Sequence, residues 1–116
     1  MKLSLIISFI IYSQSVELKC FNCSDQNAFS VLIITETDGW VHDSIESGLE
    51  LIQKIGVQNN FNVYYSDDSR VITHENLEKI RTIIFLNTTE EILTNDEQKL
   101  MESFIKSGKG FVGVHA

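Results

Sequence analysis

The sequence predicts an α/β domain organised around a doubly wound, mostly parallel β-sheet. Two continuous apolar runs, at residues 31–34 and 82–86, are typical of short strands buried on both faces. Between the predicted strands, apolar residues recur at helical spacing, and strands that alternate with helices form βαβ units. The 116 residues, of which 43% are hydrophobic, suffice for one such domain.

The predicted elements follow one another from residue 29 to residue 115. Strands are expected at 29–35, 61–66, 82–86 and 110–115, and helices at 44–58, 73–80 and 94–107. Right-handed crossovers make the four strands parallel. A doubly wound sheet then places them in the spatial order second, first, third, fourth.

Capping residues support the predicted helix starts. Asp43 and Ser44 are good N-cap types, and Glu46 stands in the capping-box position relative to Asp43. Thr94 and Glu97 form the same pattern at the start of the last helix. The stripe of the first helix that should face the sheet comprises Ile45, Leu49, Ile52 and Ile55.

Residues 1–15 have the pattern of a secretory signal peptide. Lys2 supplies the positive charge, an apolar run follows, and small residues precede a cleavage site after Ser15. The pattern predicts a secreted or periplasmic protein, and the alternative is a buried N-terminal strand. The apolar run of about ten residues is too short for a membrane span.

Residues 16–28 are expected to form a short polar linker that contains Cys20 and Cys23. In a cytosolic chain such a pair would suggest a redox motif or half of a metal site. With an export signal, a small disulfide loop or an acylated Cys20 fits better. Lys19, directly before Cys20, argues against lipid anchoring.

The net charge of −7 argues against nucleic acid and anionic membranes as partners. It favours a neutral or cationic ligand only weakly, because surface acidity commonly serves solubility. The sequence predicts no cofactor and leaves the oligomeric state open.

Polar residues follow three of the predicted strands, where the carboxyl ends of a parallel sheet form a ligand crevice. The candidates are Thr37, Asp38, Gly39, Trp40 and His42 after the first strand, Asn87 and Thr88 after the third, and His115 after the fourth. Each has a structural alternative. Asp38 and Gly39 can form a plain turn, Trp40 can cover the core, and His115 can be a hydrogen-bonded core histidine.

The residue types in this crevice suit a polyol ligand. Asp38, His42 and His115 can transfer protons, so they are the candidate catalytic residues. Thr37, Gly39, Trp40, Asn87 and Thr88 are the candidate ligand-binding residues, because amides and hydroxyls bind sugar hydroxyls and an aromatic face packs on a sugar ring. A metal site built from the three catalytic candidates is a weaker alternative, since no pair has metal-ligand spacing; we predict no metal.

Four motifs resemble the ThuA-like, or trehalose-utilisation, family over about residues 29–116. They are 31–45, with Asp-Gly-Trp-Val-His-Asp-Ser; 85–89, Phe-Leu-Asn-Thr-Thr; 95–98, Asn-Asp-Glu-Gln; and 108–116, ending in Gly-Val-His-Ala. The resemblance implies a flavodoxin-like, class I glutamine-amidotransferase-like fold and a role in carbohydrate metabolism with a saccharide as ligand. Val41 stands where the family commonly has a basic residue.

The same resemblance bears on the chemistry. Amidotransferases of this class carry a cysteine nucleophile in the turn where this chain has His115, and an imidazole does not replace a thiolate. Glutamine hydrolysis is therefore not expected. A non-catalytic interaction module with the same fold is the alternative to a sugar-processing domain.

The resemblance also predicts that residues 29–116 are the front part of a longer domain, truncated at its C-terminal end. In that case the last strand, 110–115, exposes an apolar edge that invites pairing with another strand.

Overall fold

The computed structural model describes residues 16–116 and has the α/β architecture that the sequence predicts, consistent with a flavodoxin-like fold. The strands are β1 (Lys19–Phe21), β2 (Ser30–Ile34), β3 (Asn62–Ser66), β4 (Thr82–Leu86) and β5 (Gly110–Val114). The α-helices are α1 (Ile45–Asn59), α2 (His74–Glu78) and α3 (Asn95–Lys106), and a short 3-10 helix lies at Ser69–Val71.

The five strands form one sheet in the order β1-β3-β2-β4-β5. β3, β2, β4 and β5 are parallel, which confirms the predicted order of the four main strands. In the centre, Val31 of β2 pairs with Val63 of β3 on one side and with Thr82 of β4 on the other. The carboxyl ends of β2, β4 and β5 therefore meet at the same end of the sheet.

Helices cover the sheet on both faces, so every residue of β2 is buried. On the α1 face the buried core comprises Val31, Ile33, Val63 and Leu86. On the opposite face, packed by α2 and α3, it comprises Leu32, Ile34, Val71, Ile72, Leu77, Ile80, Ile83, Met101 and Phe104. The alternation of neighbouring β2 residues between these two sets follows from the two-residue period of a strand.

The start of α1 differs from the predicted capping box. Ser44 is the N-cap, and its side chain makes no capping hydrogen bond. Its hydroxyl instead accepts a hydrogen bond from Asn87 Nδ2. A tertiary contact has thus replaced the local bond that Asp43 and Glu46 were expected to make.

Gly56 changes which side of α1 faces the sheet. A Cβ at this position would lie 2.8 Å from Val63 Cγ2 and 3.0 Å from the Phe61 carbonyl oxygen. The helix therefore packs closely against the sheet at Gly56, and Leu49 and Ile52 contact the core on the same side of the helix. Ile55, predicted to face the core, lies beside this line and is exposed.

The cap of α3 is confirmed. Glu97 N–H donates to Thr94 Oγ1, and Thr94 N–H donates to the Glu97 carboxylate, so both halves of the capping box are present. Gly108, after the helix, has a φ of 94°, which glycine adopts without a steric penalty. Thr73 likewise caps α2 through Asn76 N–H.

Residues 16–28, expected to be a linker, contribute a strand. β1 pairs antiparallel with β3, and the Phe21 ring stacks on Tyr65 with 4.2 Å between ring centroids. A disulfide joins Cys20, in the middle of β1, to Cys23, which lies just after the strand. β1 is too short to show the alternating pattern by which a strand is recognised in a sequence, so only its pairing with β3 reveals it.

The predicted signal peptide, residues 1–15, lies outside the described residues. Within residues 16–116, no helix has both the length and the apolar character that crossing a membrane requires.

Candidate functional site

The strands β4 and β5 both end in a residue with a left-handed backbone. Asn87 follows β4 with a φ of 52°, and His115 follows β5 with a φ of 49°. The two ends are tied together, because Asn87 N–H donates to the Val114 carbonyl oxygen over 2.8 Å. Positive φ costs a non-glycine residue free energy, and such residues cluster at functional sites.

His42 and His115 are in direct contact at this end of the sheet. Their ring centroids are 4.6 Å apart and the ring planes meet at 73°, an edge-to-face arrangement. His42 comes from the loop between β2 and α1, and His115 from the end of β5. Neither ring is buried, so His115 is not a core histidine. Two imidazole side chains therefore stand side by side at this end of the sheet, with His42 half-buried and His115 exposed.

Asn87 fixes a second polar pair close to this contact. Its side chain is buried, and its Nδ2 donates to the hydroxyl of Ser44, the residue before α1. Since α1 begins directly after the loop that carries His42, this bond holds the start of the helix against the end of β4. The Asn87 side chain thus donates its hydrogen bond to another side chain and not to the backbone of its loop.

The two loops that follow β2 and β4 are joined to each other. Thr37 and Thr89 form an isolated parallel bridge, and Asp38 N–H donates to the Thr89 carbonyl oxygen over 3.1 Å. Thr89 Oγ1 in turn donates to the Trp40 carbonyl oxygen over 3.1 Å. Gly39 allows the close approach, because a Cβ there would lie 2.9 Å from Glu90 Cγ.

Trp40 does not cover the core. Its side chain is 75% exposed at the tip of the joined loops, and the neighbouring Val41 is exposed as well. The backbone of this tip is held by Thr89, so the indole is presented to solvent from an anchored position.

A shallow groove of about 400 Å³ runs from the histidine contact along the face of the sheet beside α1. We call it the histidine groove; its lining residues are Ser44, Ser47, Gly48, Leu51, Leu86, Asn87, Val114 and His115. One end is polar and the side walls are apolar. Gly48 sets its width, because α1 approaches Leu86 so closely that a Cβ would lie 2.9 Å from Leu86 Cδ2.

Of the eight predicted site residues, Asn87 and His115 line this groove and His42 contacts His115. The other five do not line it: Thr37, Asp38, Gly39, Trp40 and Thr88. The Asp38 side chain is exposed, and neither a hydrogen bond nor an ion pair links its carboxylate to His42 or His115. Thr88 lines a different cavity of about 420 Å³, which also contains Phe85 and Phe111 on the α3 side. The two-residue period of β4 would place Thr88 on the same face as Leu86, but the left-handed backbone of Asn87 breaks that period, so Asn87 lies beside Leu86 and Thr88 lies with Phe85 on the other face.

The structure gives Ser44 and Thr89 contacts that the sequence did not predict. Sequence reasoning used Ser44 only as a helix cap, and Thr89 only as one of several polar residues after a strand. The signal that could have singled out Ser44 is its place at the end of the Asp-Gly-Trp-Val-His-Asp-Ser motif. Its pairing with Asn87 depends on how β4 lies beside β2, which no local pattern specifies.

Glu36 and Asp68 serve the neighbouring loop instead of the groove. The Glu36 carboxylate accepts a hydrogen bond from Ser69 N–H and so anchors the 3-10 helix after β3. Arg70, through side-chain hydrogen bonds to the Asp68 carboxylate, lowers the pKa of Asp68 below its ordinary value. These charged groups hold the loop after β3 and make no contact with the two histidines.

A metal centre made of His42, His115 and Asp38 is not assembled. Within residues 16–116, no group of three or more histidine, cysteine, aspartate or glutamate side chains is placed to hold a metal ion.

The parallel order of the four main strands, with its polar crevice at their carboxyl ends, defines a flavodoxin-like α/β domain. A family model described as ThuA, trehalose utilisation, matches residues 30–116, and the chain belongs to this family. Comparisons with curated proteins and with solved structures gave no match.

Proposed function

We propose that this domain binds a saccharide in the histidine groove and that His42 and His115 move protons on the bound sugar. The observation that carries the proposal is the contact between the two imidazoles, 4.6 Å apart at the carboxyl ends of β2 and β5. The ThuA family match supports a role in trehalose utilisation and hence a saccharide as the ligand class.

The groove offers the groups that a polyol needs. The Ser44 hydroxyl and the Asn87 amide, already bonded to each other, can accept and donate further hydrogen bonds to sugar hydroxyls. The apolar wall of Leu51 and Val114 can pack on the C–H face of a sugar ring. A volume of about 400 Å³ is in the range of small-molecule sites.

Two adjacent imidazoles can divide the work of acid–base catalysis. A neutral imidazole accepts a proton from a hydroxyl, and a protonated neighbour donates one to an oxygen that departs or becomes charged. The two cysteines are joined as a disulfide at the far edge of the sheet, so the proposed chemistry uses no thiolate.

The test is calorimetric titration with trehalose and related disaccharides, followed by assays of turnover. We expect His42→Gln and His115→Gln each to weaken binding about tenfold or more, the loss of roughly one good polar contact. His74→Gln is the matched control, because His74 is exposed on α2 and pairs only with Glu78. Equal affinity in all three variants would show that the histidine contact is not the binding site.

The exposed tip of the joined loops favours a second candidate, a non-catalytic interaction module. Trp40 and Val41 form an apolar pair in a held conformation, and exposed aromatic residues are enriched at protein interfaces. The same titrations separate the two: a saccharide site that uses the indole loses affinity in Trp40→Ala, whereas the interaction module predicts that the unsubstituted chain binds no saccharide.

A further inference from the structure

Two asparagines of this chain begin an Asn-x-Ser/Thr sequence, the pattern that accepts N-linked glycans. They are Asn22, in Asn22-Cys23-Ser24, and Asn87, in Asn87-Thr88-Thr89. Neither middle residue is proline, which the pattern excludes. The sequence treats the two asparagines alike, but the structure places them in opposite environments.

Asn22 is exposed at a bend directly after β1. Its backbone is left-handed, with a φ of 52°, a conformation in which asparagine is several-fold enriched. The side chains of Cys23 and Ser24 are exposed as well, so the whole three-residue pattern lies on the surface. Among residues 16–116, the amide nitrogen of Asn22 donates no hydrogen bond. A surface bend of this kind is where an acceptor asparagine is expected.

Asn87, by contrast, is closed to a glycan in the folded domain. It is only 5% exposed, and its Nδ2, the atom that would carry the sugar, donates to the Ser44 hydroxyl. Thr88 beside it is buried too. A sugar on this nitrogen would break the bond to Ser44 and place a bulky polar group between β4 and the start of α1.

We propose that Asn22 accepts an N-linked glycan as the chain is secreted through the endoplasmic reticulum and that Asn87 does not. Asn22 Nδ2 attacks C1 of the first sugar of an oligosaccharide carried on a lipid diphosphate. The bond from C1 to the diphosphate oxygen breaks, the lipid diphosphate leaves with the electron pair, and the transferase removes a proton from the nitrogen. The proposal rests on no part of the proposed function.

Two features of the chain support passage through that compartment. Residues 1–15 have the pattern of a signal peptide. Cys20 and Cys23 form a disulfide, a bond that persists in oxidising compartments such as the endoplasmic reticulum and is rare in the cytosol. The disulfide also closes the bend that presents Asn22.

The position of Asn22 keeps a glycan away from the histidine groove. β1 runs antiparallel to β3, and Phe21 pairs with Val63 near the start of β3. Asn22 therefore lies at the end of the sheet where the parallel strands begin, whereas the groove lies where they end. The loop beyond it is anchored, because Asn62 Nδ2 donates to the Asp25 carbonyl oxygen over 2.8 Å.

The test is expression of the full chain in eukaryotic secretory cells, with mass spectrometry of the secreted protein before and after treatment with peptide-N-glycosidase. This enzyme converts an asparagine that carried a glycan to aspartate, so peptide masses identify the acceptor. We expect one glycan, on Asn22, and an unmodified Asn87. Translation of the same chain in vitro with endoplasmic reticulum microsomes should give a heavier product that endoglycosidase H reverses, which reports transfer without requiring export.

Two substitutions at the exposed Ser24 form a matched pair. Ser24→Ala removes the hydroxyl that the pattern requires and should abolish the glycan, whereas Ser24→Thr keeps a hydroxyl and should retain it. Neither substitution alters Asn22, the disulfide or the histidine groove. An unmodified wild-type chain in the secreted protein or in the microsomes, a glycan on Asn87 of the secreted protein, or a glycan that persists in Ser24→Ala would each overturn the proposal.

Discussion

The two edges of the sheet differ in almost every property that governs strand pairing. β1 has three residues, includes Lys19 and is followed at once by the turn that the Cys20–Cys23 disulfide closes. β5 has five residues, none of them charged, and is exposed along most of its length. Short length, lysine and a tight turn are the usual devices that keep an edge strand from pairing with other chains. They are present at β1 and absent from β5.

Within residues 16–116, the β1 side of the sheet has fastening contacts that the β5 side does not have. At the β1 side, Phe21 stacks on Tyr65, and Asn62 Nδ2 donates to the Asp25 carbonyl oxygen over 2.8 Å, so the loop after β1 is fastened to β3. At the β5 side, the pairing with β4 and the contact between Phe111 and Phe85 supply the contacts among the described residues. The same contrast predicts where substitutions will be costly.

The largest expected effect comes from truncating a matched pair of valines. Val63 lies in β3, opposite Phe21 of β1, and is 1% exposed, whereas Val112 in β5 is 45% exposed. Val63→Ala should lower the free energy of unfolding by about 2–3 kcal/mol, through lost burial and a cavity. Val112→Ala should lower it by less than about 1 kcal/mol, because little burial is lost.

Urea denaturation of both variants, monitored by circular dichroism at one protein concentration, measures the two values. Similar losses in the two variants would contradict the contrast between a fastened and an open side.

The next effect concerns the disulfide. Reduction, or the double substitution Cys20→Ser and Cys23→Ser, frees the turn after β1, and closure of so short a loop contributes about 2 kcal/mol in the chain-entropy model. Amide exchange should speed up in β1 and in its β3 partners, while β5 amides keep their rates.

Mass-resolved hydrogen exchange with and without reductant is the measurement. A uniform rise in amide exchange across β1 and β5 would mean that the disulfide stabilises the whole fold and not only the β1 side of the sheet.

The smallest expected effect is electrostatic and concerns the carboxylates of Asp25 and Asp68, which lie near the two ends of β3. Hydrogen bonds from the Arg70 side chain lower the pKa of Asp68, and the Asn27 backbone N–H and the Asn60 side chain lower the pKa of Asp25. A carboxyl whose pKa is lowered in the folded state adds stability above its unfolded pKa. That stability is lost as the pH falls through the folded value.

Asp68→Asn should therefore destabilise the chain at neutral pH by no more than about 1 kcal/mol, since the ion pair lies at the surface. The difference from the wild type should begin to shrink below about pH 4, near the pKa of Asp68 in the unfolded chain, and vanish only below the lower pKa that Asp68 has in the folded chain. Denaturation curves from pH 7 down to about pH 2 provide the test, with Asp67→Asn as the control, because the exposed Asp67 makes no ion pair within residues 16–116. A difference that persists in acid would assign the effect to the hydrogen bonds of Asp68 as a helix cap.

The sequence was enough to predict most of the strands and helix caps, which depend only on residues close together in the chain. The apolar run of β4 and the capping box of Thr94 and Glu97 were predictable, because strand burial and helix capping are set within a few positions. The parallel order of the four main strands followed from chain alternation and handedness. The polar residues at the strand ends could be named for the same reason.

Which of those residues meet depends on contacts between distant segments. His42 reaches His115, and Asn87 bonds to Ser44 across 43 positions of sequence, because β5 and α1 both lie beside β4 at one end of the sheet. The left-handed backbone of Asn87 interrupts the strand alternation and leaves Thr88 on the other face. The pairing of β1 and the turning of α1 about Gly56 also arose between distant segments, since each depends on the space that the sheet leaves and not on the local pattern of side chains.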